Sequence, residues 1–269
     1  MARFAVCIPV YNGGAFVGQA LESIAEQTLE GVEVLVSDNA STDDTAHILA
    51  EWSDRLPMRV IRRPQTLPML DHFNALLDEV NSDAYMLLCD DDYLASPDAL
   101  AKARAALDAN PQISAVYCDL LYVNEHRRPL GRRRFGRDGL FTAADAGRRS
   151  LRSGRNCFGI PLAIRREALG ALRYDSHFLY LMDLDLSWSI SSEKPAFHIA
   201  EPLIANRYSR RNSTWGMLKT ARHEYVALAS KYVGPPNWLQ RSTIAATSFQ
   251  VTLRKRLFSA YERLLTRMT

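Results

Sequence analysis

An α/β fold, with a mostly parallel central sheet and helices on both faces, is predicted by three observations. Short apolar runs alternate with segments of helical spacing over the first 120 residues. The connections between them are short, so right-handed crossovers and a parallel sheet follow. The apolar runs have few polar breaks, as strands buried on both faces require.

The elements follow in order. FAVCIPV (4–10) reads as a buried strand. AFVGQALESIAEQ (15–27) places Phe16, Val17, Ala20, Leu21, Ile24 and Ala25 at helix spacing. VEVLVS (32–37) is a second strand, and STDDTAHILAEWSD (41–54) opens with a capping cluster and continues as a helix. MRVIR (58–62) is a strand, MLDHFNALLDEV (69–80) a helix, and AYMLLC (84–89) a fourth strand. SPDALAKARAALDAN (96–110) is a helix with Pro97 in its first turn, followed by the strand ISAVYCDL (113–120).

Beyond residue 124 the pattern loosens. Residues 125–140 read as a flexible loop, GIPLAIRR (159–166) as a strand and FLYLMDLDLSWSI (178–190) as a helix. Two strands are expected at 196–200 and 203–208, then helices from about Trp215. The expected division is one domain, 1–214, in two halves, 1–124 and 125–214. A C-terminal helical extension, 215–269, follows it.

Composition narrows the function classes. The chain of 269 residues is 47% hydrophobic and 23% charged, the balance of a soluble globular protein. Met1-Ala2-Arg3 leads straight into the first strand without a signal pattern, and no apolar run is long enough to span a bilayer. A cytoplasmic location is therefore expected, with Cys7, Cys89, Cys118 and Cys157 as free thiols. Net charge is +3, concentrated in HRRPLGRRRFGRDG (126–139) and RKRLFSAYERLLTRM (254–268). Each reads either as a solvated face or as a contact for anionic lipid or an anionic substrate. Nucleic acid is disfavoured, because no recognition motif accompanies the charge.

In a sheet of this kind ligands bind beyond the carboxyl ends of the strands. Three features fall on that rim: PVYN after the first strand, SDNAS after the second and CDDD after the fourth. Asp90, Asp91 and Asp92 end a buried strand in three adjacent carboxylates. Capping of the next helix or plain solvation would excuse one of them. Three are relieved most simply by a divalent cation, and hard oxygen donors suit Mg²⁺ or Mn²⁺ with substrate phosphates completing the shell. Asp38 and Asn39 could hydrogen-bond a base or ribose and Tyr11 could stack on a base, although both stretches are also good turn formers. No G-x-G-x-x-G and no G-x-x-x-x-G-K is present, which excludes support for a dinucleotide site or a P-loop.

P-V-Y-N, then S-I-x-x-Q-T, then D-N-A-S-T-D-x-T, then the aspartate cluster stand here in order. The pattern resembles the inverting family-2 nucleotide-sugar glycosyltransferases of GT-A fold, strongly over residues 4–120 and more weakly over 155–212. The resemblance implies a metal-dependent, inverting transfer from a nucleotide-diphosphate sugar, a UDP- or dTDP-sugar, to a glycan or lipid-linked acceptor in bacterial surface polysaccharide or lipopolysaccharide assembly. It implies that the aspartate cluster holds metal and donor diphosphate, with Asp92 as direct ligand and Asp90 turned toward ribose or metal. Asp91 joins them against the donor. Pro9, Val10, Tyr11, Asn12, Asp38 and Asn39 are expected around the nucleoside, and Arg210 and Arg211 near the diphosphate. The family's base motif matches LMDLDLSW: Met182 takes the usual Glu position, Asp183 is the expected base and Asp185 the second choice.

Two competing functions remain in view. A sugar-1-phosphate nucleotidyltransferase would need a basic residue in the loop after the first strand, and PVYNGGAFVG has none. A non-catalytic nucleotide-binding subunit would not need both the aspartates and Asp183. From Trp238 on, Leu239, Ile244, Phe249, Leu253 and Leu257 approximate a helical stripe with a basic complement. It is expected to pack on the catalytic domain or on a second copy in a homodimer, or to lie on the inner face of the cell membrane as a peripheral contact.

Overall fold

The computed structural model describes residues 4–208, 217, 219–238, 241–242, 244–246 and 253. Arg210, Arg211 and most of the C-terminal stripe lie outside these residues.

The chain runs β1 (Phe4–Val10), α1 (Val17–Ala25), β2 (Val32–Asp38), α2 (Thr45–Ser53), β3 (Met58–Arg62), α3 (Met69–Leu77), β4 (Ala84–Leu87), β5 (Tyr93–Leu94) and α4 (Ala99–Ala109). It continues with β6 (Ala115–Val123), β7 (Pro129–Arg133), β8 (Gly139–Phe141), α5 (Ala143–Ser153), β9 (Ile160–Arg165), α6 (Arg166–Leu169), α7 (Met182–Ile190), β10 (Ala196–Arg207) and α8 (Ala221–Tyr232). All ten strands join one sheet in the order β3-β2-β1-β4-β9-β6-β10-β5, with β7 beside β6 and β8 beside β10. The pairings set β1, β2, β3, β4, β6 and β10 in one direction, and β9 lies antiparallel between β4 and β6.

Alternation along β1 explains the two-sided cover. Phe4, Val6, Ile8 and Val10 face a core built with Val17, Leu21 and Ile24 of α1 and Leu100 and Leu107 of α4. Ala5 and Cys7 face the other core, with Leu70, Phe73 and Leu76 of α3 and Leu184 and Trp188 of α7. Successive strand residues point to opposite faces, so a strand buried on both sides must be apolar throughout.

The first 124 residues follow the expected order, except that an unexpected short strand, β5, pairs antiparallel with β10. Later the structure departs from expectation. The stretch 125–140 is not a loop: β7 folds back on β6, and β8 edges β10. Arginines hide β7, because their long stems cover apolar surface while their heads stay in water. Helix α5 has N-cap Thr142, whose hydroxyl accepts from the Asp145 N–H, and ends at Gly154 in the left-handed region. The two strands expected at 196–200 and 203–208 are one strand, β10, with register shifts on either side of Pro202. Proline has no N–H to give the ladder, and the bulge absorbs it.

Helix α8 adds Tyr225, Leu228 and Ala229 to the core beneath α7. No described helix is long and apolar enough to cross a membrane. All four cysteines are free, with Cys7 and Cys118 buried and Cys89 and Cys157 partly exposed.

Candidate active site

The strand ends of β1 and β4 and the start of α7 surround a cleft of about 670 Å³. Pro9, Val10, Tyr11, Asn12, Asn39, Asp90, Asp91, Asp92 and Asp183 all line it. The rule that ligands sit at the carboxyl ends of parallel strands accounts for the first eight.

The wall after β1 is tied to the turn after β2. The Asn12 N–H donates to Ser41 Oγ at 2.9 Å, and Asn12 Oδ1 accepts from the Thr42 N–H at 2.8 Å. Asn12 itself has φ +52°, a left-handed value that asparagine tolerates. Tyr11 is left 53% exposed at the cleft, a free aromatic face. Asn39 spends both ends of its amide on Leu67: Nδ2 donates to the carbonyl at 3.0 Å, and Oδ1 accepts from the N–H at 2.8 Å. It holds the loop before α3 in place. Asp38 is buried outside the cleft lining, where it accepts from Arg62 Nη1 at 2.7 Å and from the Ser41 N–H at 2.9 Å.

The aspartates differ sharply in setting. Gly13 packs so closely that a β-carbon there would overlap Asp90 Oδ2. Burial, with the Asp91 charge second, pushes the Asp90 carboxyl up to about 7. Asp92 is almost fully buried; Oδ1 accepts from the Arg207 N–H at 2.8 Å and Oδ2 from Asn206 Nδ2 at 2.9 Å. Burial and the neighbouring Asp91 raise it well above the ordinary carboxylate range. Burial also raises Asp91.

Ligand atoms of Cys89, Asp91 and Asp92 converge within 4.8 Å of one another. Asp90 is not in that group. Two hard carboxylates that share one small space, both held toward protonation, fit a divalent cation of the Mg²⁺ or Mn²⁺ kind. The Cys89 thiol is pushed well above its usual value by burial and by Asp92 and Asp91, so it is a neutral neighbour and not a thiolate ligand. Asn206, which helps fix Asp92 and also lines the cleft, escaped sequence reasoning. Its signal was its place at the end of an apolar run, which register with β6 converts into a strand end.

Asp183 and Asp185 part company. Asp183 is the second residue of α7 and opens into the cleft, where the helix N-terminus favours its negative charge. Protein packed around the cleft desolvates it and raises it to about 6. The start of α7 is held by Glu224 of α8, whose Oε2 accepts from the N–H groups of Tyr180 and Leu181, both at 2.8 Å. Asp185 is buried behind the helix and does not line the cleft. It accepts from Lys231 Nζ at 2.8 and 3.0 Å and from the Tyr232 hydroxyl at 2.8 Å. His72 also lines the cleft, bonded to Ser37 Oγ at 2.9 Å and lowered to about 4 by burial, so its ring is neutral. His198 is buried against Asp119 at 3.0 Å, and His177 is exposed beside Asp175.

The chain has counterparts among known proteins. The sequence profile of Glycosyl transferase family 2 matches residues 5–173. Among curated proteins, the abequosyltransferase RfbV of Salmonella typhimurium is 31% identical over 131 residues, 45% of this chain and 39% of that protein. A PGL/p-HBAD biosynthesis glycosyltransferase of Mycobacterium bovis is 30% identical over 119 residues, 44% of this chain and 46% of that protein. An uncharacterized protein of Mycobacterium tuberculosis is 33% identical over 119 residues, 43% of this chain. The match spans only 34% of the length of that protein. Among solved structures, Staphylococcus aureus TarS 1–349 with UDP-GlcNAc superposes with a TM-score of 0.69 at 15% identity, over 91% of this chain and 71% of TarS 1–349. The mannosyltransferase PcManGT of Pyrobaculum calidifontis, solved with GDP-Man and Mn²⁺, gives 0.64 at 18% identity, over 98% and 82%. At those identities the likeness is one of fold.

Proposed function

The chain belongs to glycosyl transferase family 2, and from that premise we propose that it is an inverting, metal-dependent glycosyltransferase acting on a nucleotide-diphosphate sugar. The observation that carries the reading is that one cleft holds both the carboxylate cluster at the end of β4 and a separate, uncommitted carboxylate, Asp183. Two acids with different environments in one site suit two roles.

Tyr11 and the loop that Asn39 braces would receive the nucleoside. Asp91 and Asp92 would hold Mg²⁺ or Mn²⁺, with Asp90 beside them toward the ribose. When bound, the cation supplies Lewis-acid stabilisation of the charge that grows on the departing diphosphate. Asp183 accepts the proton of the acceptor hydroxyl as that oxygen attacks the anomeric carbon from the face opposite the diphosphate. One base and one displacement give an inverted anomeric centre. Asp185, committed to Lys231 and Tyr232, is left as a structural anchor for α7.

The abequosyltransferase and the PGL/p-HBAD biosynthesis glycosyltransferase among the relatives support a glycan or lipid-linked acceptor. The solved neighbours carry UDP-GlcNAc or GDP-Man, so a guanosine donor joins the expected UDP- and dTDP-sugars as a candidate. A peripheral position on the inner membrane face, through the basic C-terminal stripe, goes with such an acceptor. Arg210 and Arg211 remain proposed diphosphate contacts. The nucleotidyltransferase reading lacks the basic residue it needs in residues 8–18.

The test is a panel of nucleotide sugars scored by thermal stabilisation with Mn²⁺, followed by product analysis. Stabilisation by one donor, with transfer that inverts the anomeric centre by NMR, is expected. A retained configuration rejects the mechanism, and pyrophosphate release from a sugar-1-phosphate and nucleoside triphosphate rejects the class.

A further inference from the structure

A second pocket, of about 330 Å³, is walled by β7, the residues that follow it, and the end of α5. Five arginines line it: Arg133, Arg134, Arg149, Arg152 and Arg155. No carboxylate does. Two of the five serve the fold. Arg133 Nη2 donates to the Asn156 carbonyl at 2.6 Å and its guanidinium stacks on Phe135 at 4.6 Å, while Arg149 Nη2 donates to the Phe135 carbonyl at 3.0 Å. Arg152 sits in the last turn of α5, where the helix dipole favours a cation. Neither role explains Arg134 and Arg155, which are exposed and whose guanidinium groups make no hydrogen bond or ion pair among the described residues.

Five like charges around one cavity repel each other, and the guanidinium fork matches phosphate oxygens. The pocket also adjoins the cleft. Asn156 and Cys157 line the pocket, whereas Ile160 and Pro161 line the cleft. Two residues, Phe158 and Gly159, separate Cys157 from Ile160, a span of at most about 11 Å. Phe158, between those two pairs in the chain, packs its ring 6.4 Å from that of Trp188 in α7, the helix that carries Asp183. The pocket therefore stands on the side of Asp183.

We propose that this arginine pocket binds a phosphate or diphosphate group, and that the group belongs to the acceptor. The second clause rests on the glycosyl-transfer reading above; the first does not. An anionic tail held here would leave the acceptor's other end beside Asp183.

Cys157 provides a readout inside the pocket. Iodoacetamide labelling with peptide mass mapping would be run on the full chain in EDTA, with free N-acetylcysteine in the same tube as reference. Inorganic pyrophosphate is expected to slow labelling of Cys157 and leave the reference thiol unchanged. Arg134→Gln together with Arg155→Gln is expected to weaken that protection by about tenfold or more, since charge-assisted contacts are lost. Stabilisation by Mn²⁺ and nucleotide sugar should be unaltered in the double variant.

Geranyl diphosphate that protects at lower concentration than pyrophosphate supports a lipid-linked source. Equal protection supports a soluble phosphorylated one. No protection of Cys157 at millimolar pyrophosphate, or protection that survives in the double variant, overturns the proposal. So does protection by phosphatidylglycerol vesicles where pyrophosphate gives none. Failure of the donor panel with Cys157 protection intact would sink the transferase reading and the acceptor assignment while the anion site stands.

Discussion

The backbone N–H of Arg207 donates to Oδ1 of Asp92 at 2.8 Å, across 115 residues of sequence. The same residue reaches back with its side chain. Nε donates to the Asp91 carbonyl at 2.8 Å, Nη2 to Gln19 Oε1 at 2.7 Å, and the guanidinium stacks on Phe16 at 4.4 Å. Fully buried at the end of β10, Arg207 holds the aspartate motif of β4 and helix α1 together.

Lysine cannot reproduce that fork. Arg207→Lys is expected to raise the Mn²⁺ concentration needed for half-maximal activity by about tenfold or more, since at least one buried charged hydrogen bond of roughly 1.5–3 kcal/mol is lost. A manganese titration of activity checks it. An unchanged midpoint with a lowered Tm would restrict Arg207 to a stability role.

Asp183→Asn is expected to bind donor as wild type does and to lose transfer by a factor of about 10²–10⁴, the usual worth of a positioned base. Asp183 must be ionised to accept a proton, and its carboxyl is raised to about 6. The wild-type kcat/KM should therefore rise with pH through about 6 and level off above. A rate that falls over that range would mean Asp183 works in its protonated form.

Chelation with EDTA should stop turnover, and Asp91→Asn and Asp92→Asn should each abolish stabilisation by Mn²⁺ and donor. Asp90→Asn should be milder, because Asp90 stands outside the convergent group. Full turnover in excess EDTA ends the metal assignment. The reverse order among the three variants moves it to Asp90.

Asp185→Asn is expected to act on stability. Its side chain is buried, but Lys231 is more than a third exposed, so water screens the pair and the cost is set at about 1–2 kcal/mol. A lower Tm with transfer retained below the melting range is the expected result. Lost transfer at unchanged Tm would make Asp185 the base.

At Gly13 an added methyl would run into Asp90 Oδ2 and Val10 Cγ2. Gly13→Ala is expected to cost about 1–3 kcal/mol, as overpacking does, and to weaken donor binding measured by thermal shift with Mn²⁺.

The first half of the molecule was legible because its signals are local. β1 and β4 are uninterrupted apolar runs, β2 and β3 are apolar runs broken by Glu33 and Arg59, each helix has its own periodicity, and parallel topology places the loops on one rim. Tyr11, Asn12 and Asp90–Asp92 are therefore legible in the sequence as neighbours on one rim, and they line one cleft. What escaped depends on contacts distant in sequence. Nothing near Asp92 announces Asn206 or Arg207, and nothing in DLD tells which aspartate meets Lys231. Nothing near Asp38 announces Arg62, its partner 24 residues away. The β7 strand was hidden by its arginines.

The antiparallel placement of β9 between β4 and β6 also governs how the molecule can be made. As the chain leaves the ribosome, β1 to β4 can pair as they emerge. β6, though already synthesised, cannot close against β4, because the strand that separates them ends only at Arg165. Until then each has an open edge, and unpaired edges recruit other chains. Contacts of such long sequence separation form slowly. Residues 1–124 expressed alone should therefore aggregate, and productive folding should begin only once the far side of the sheet has been translated.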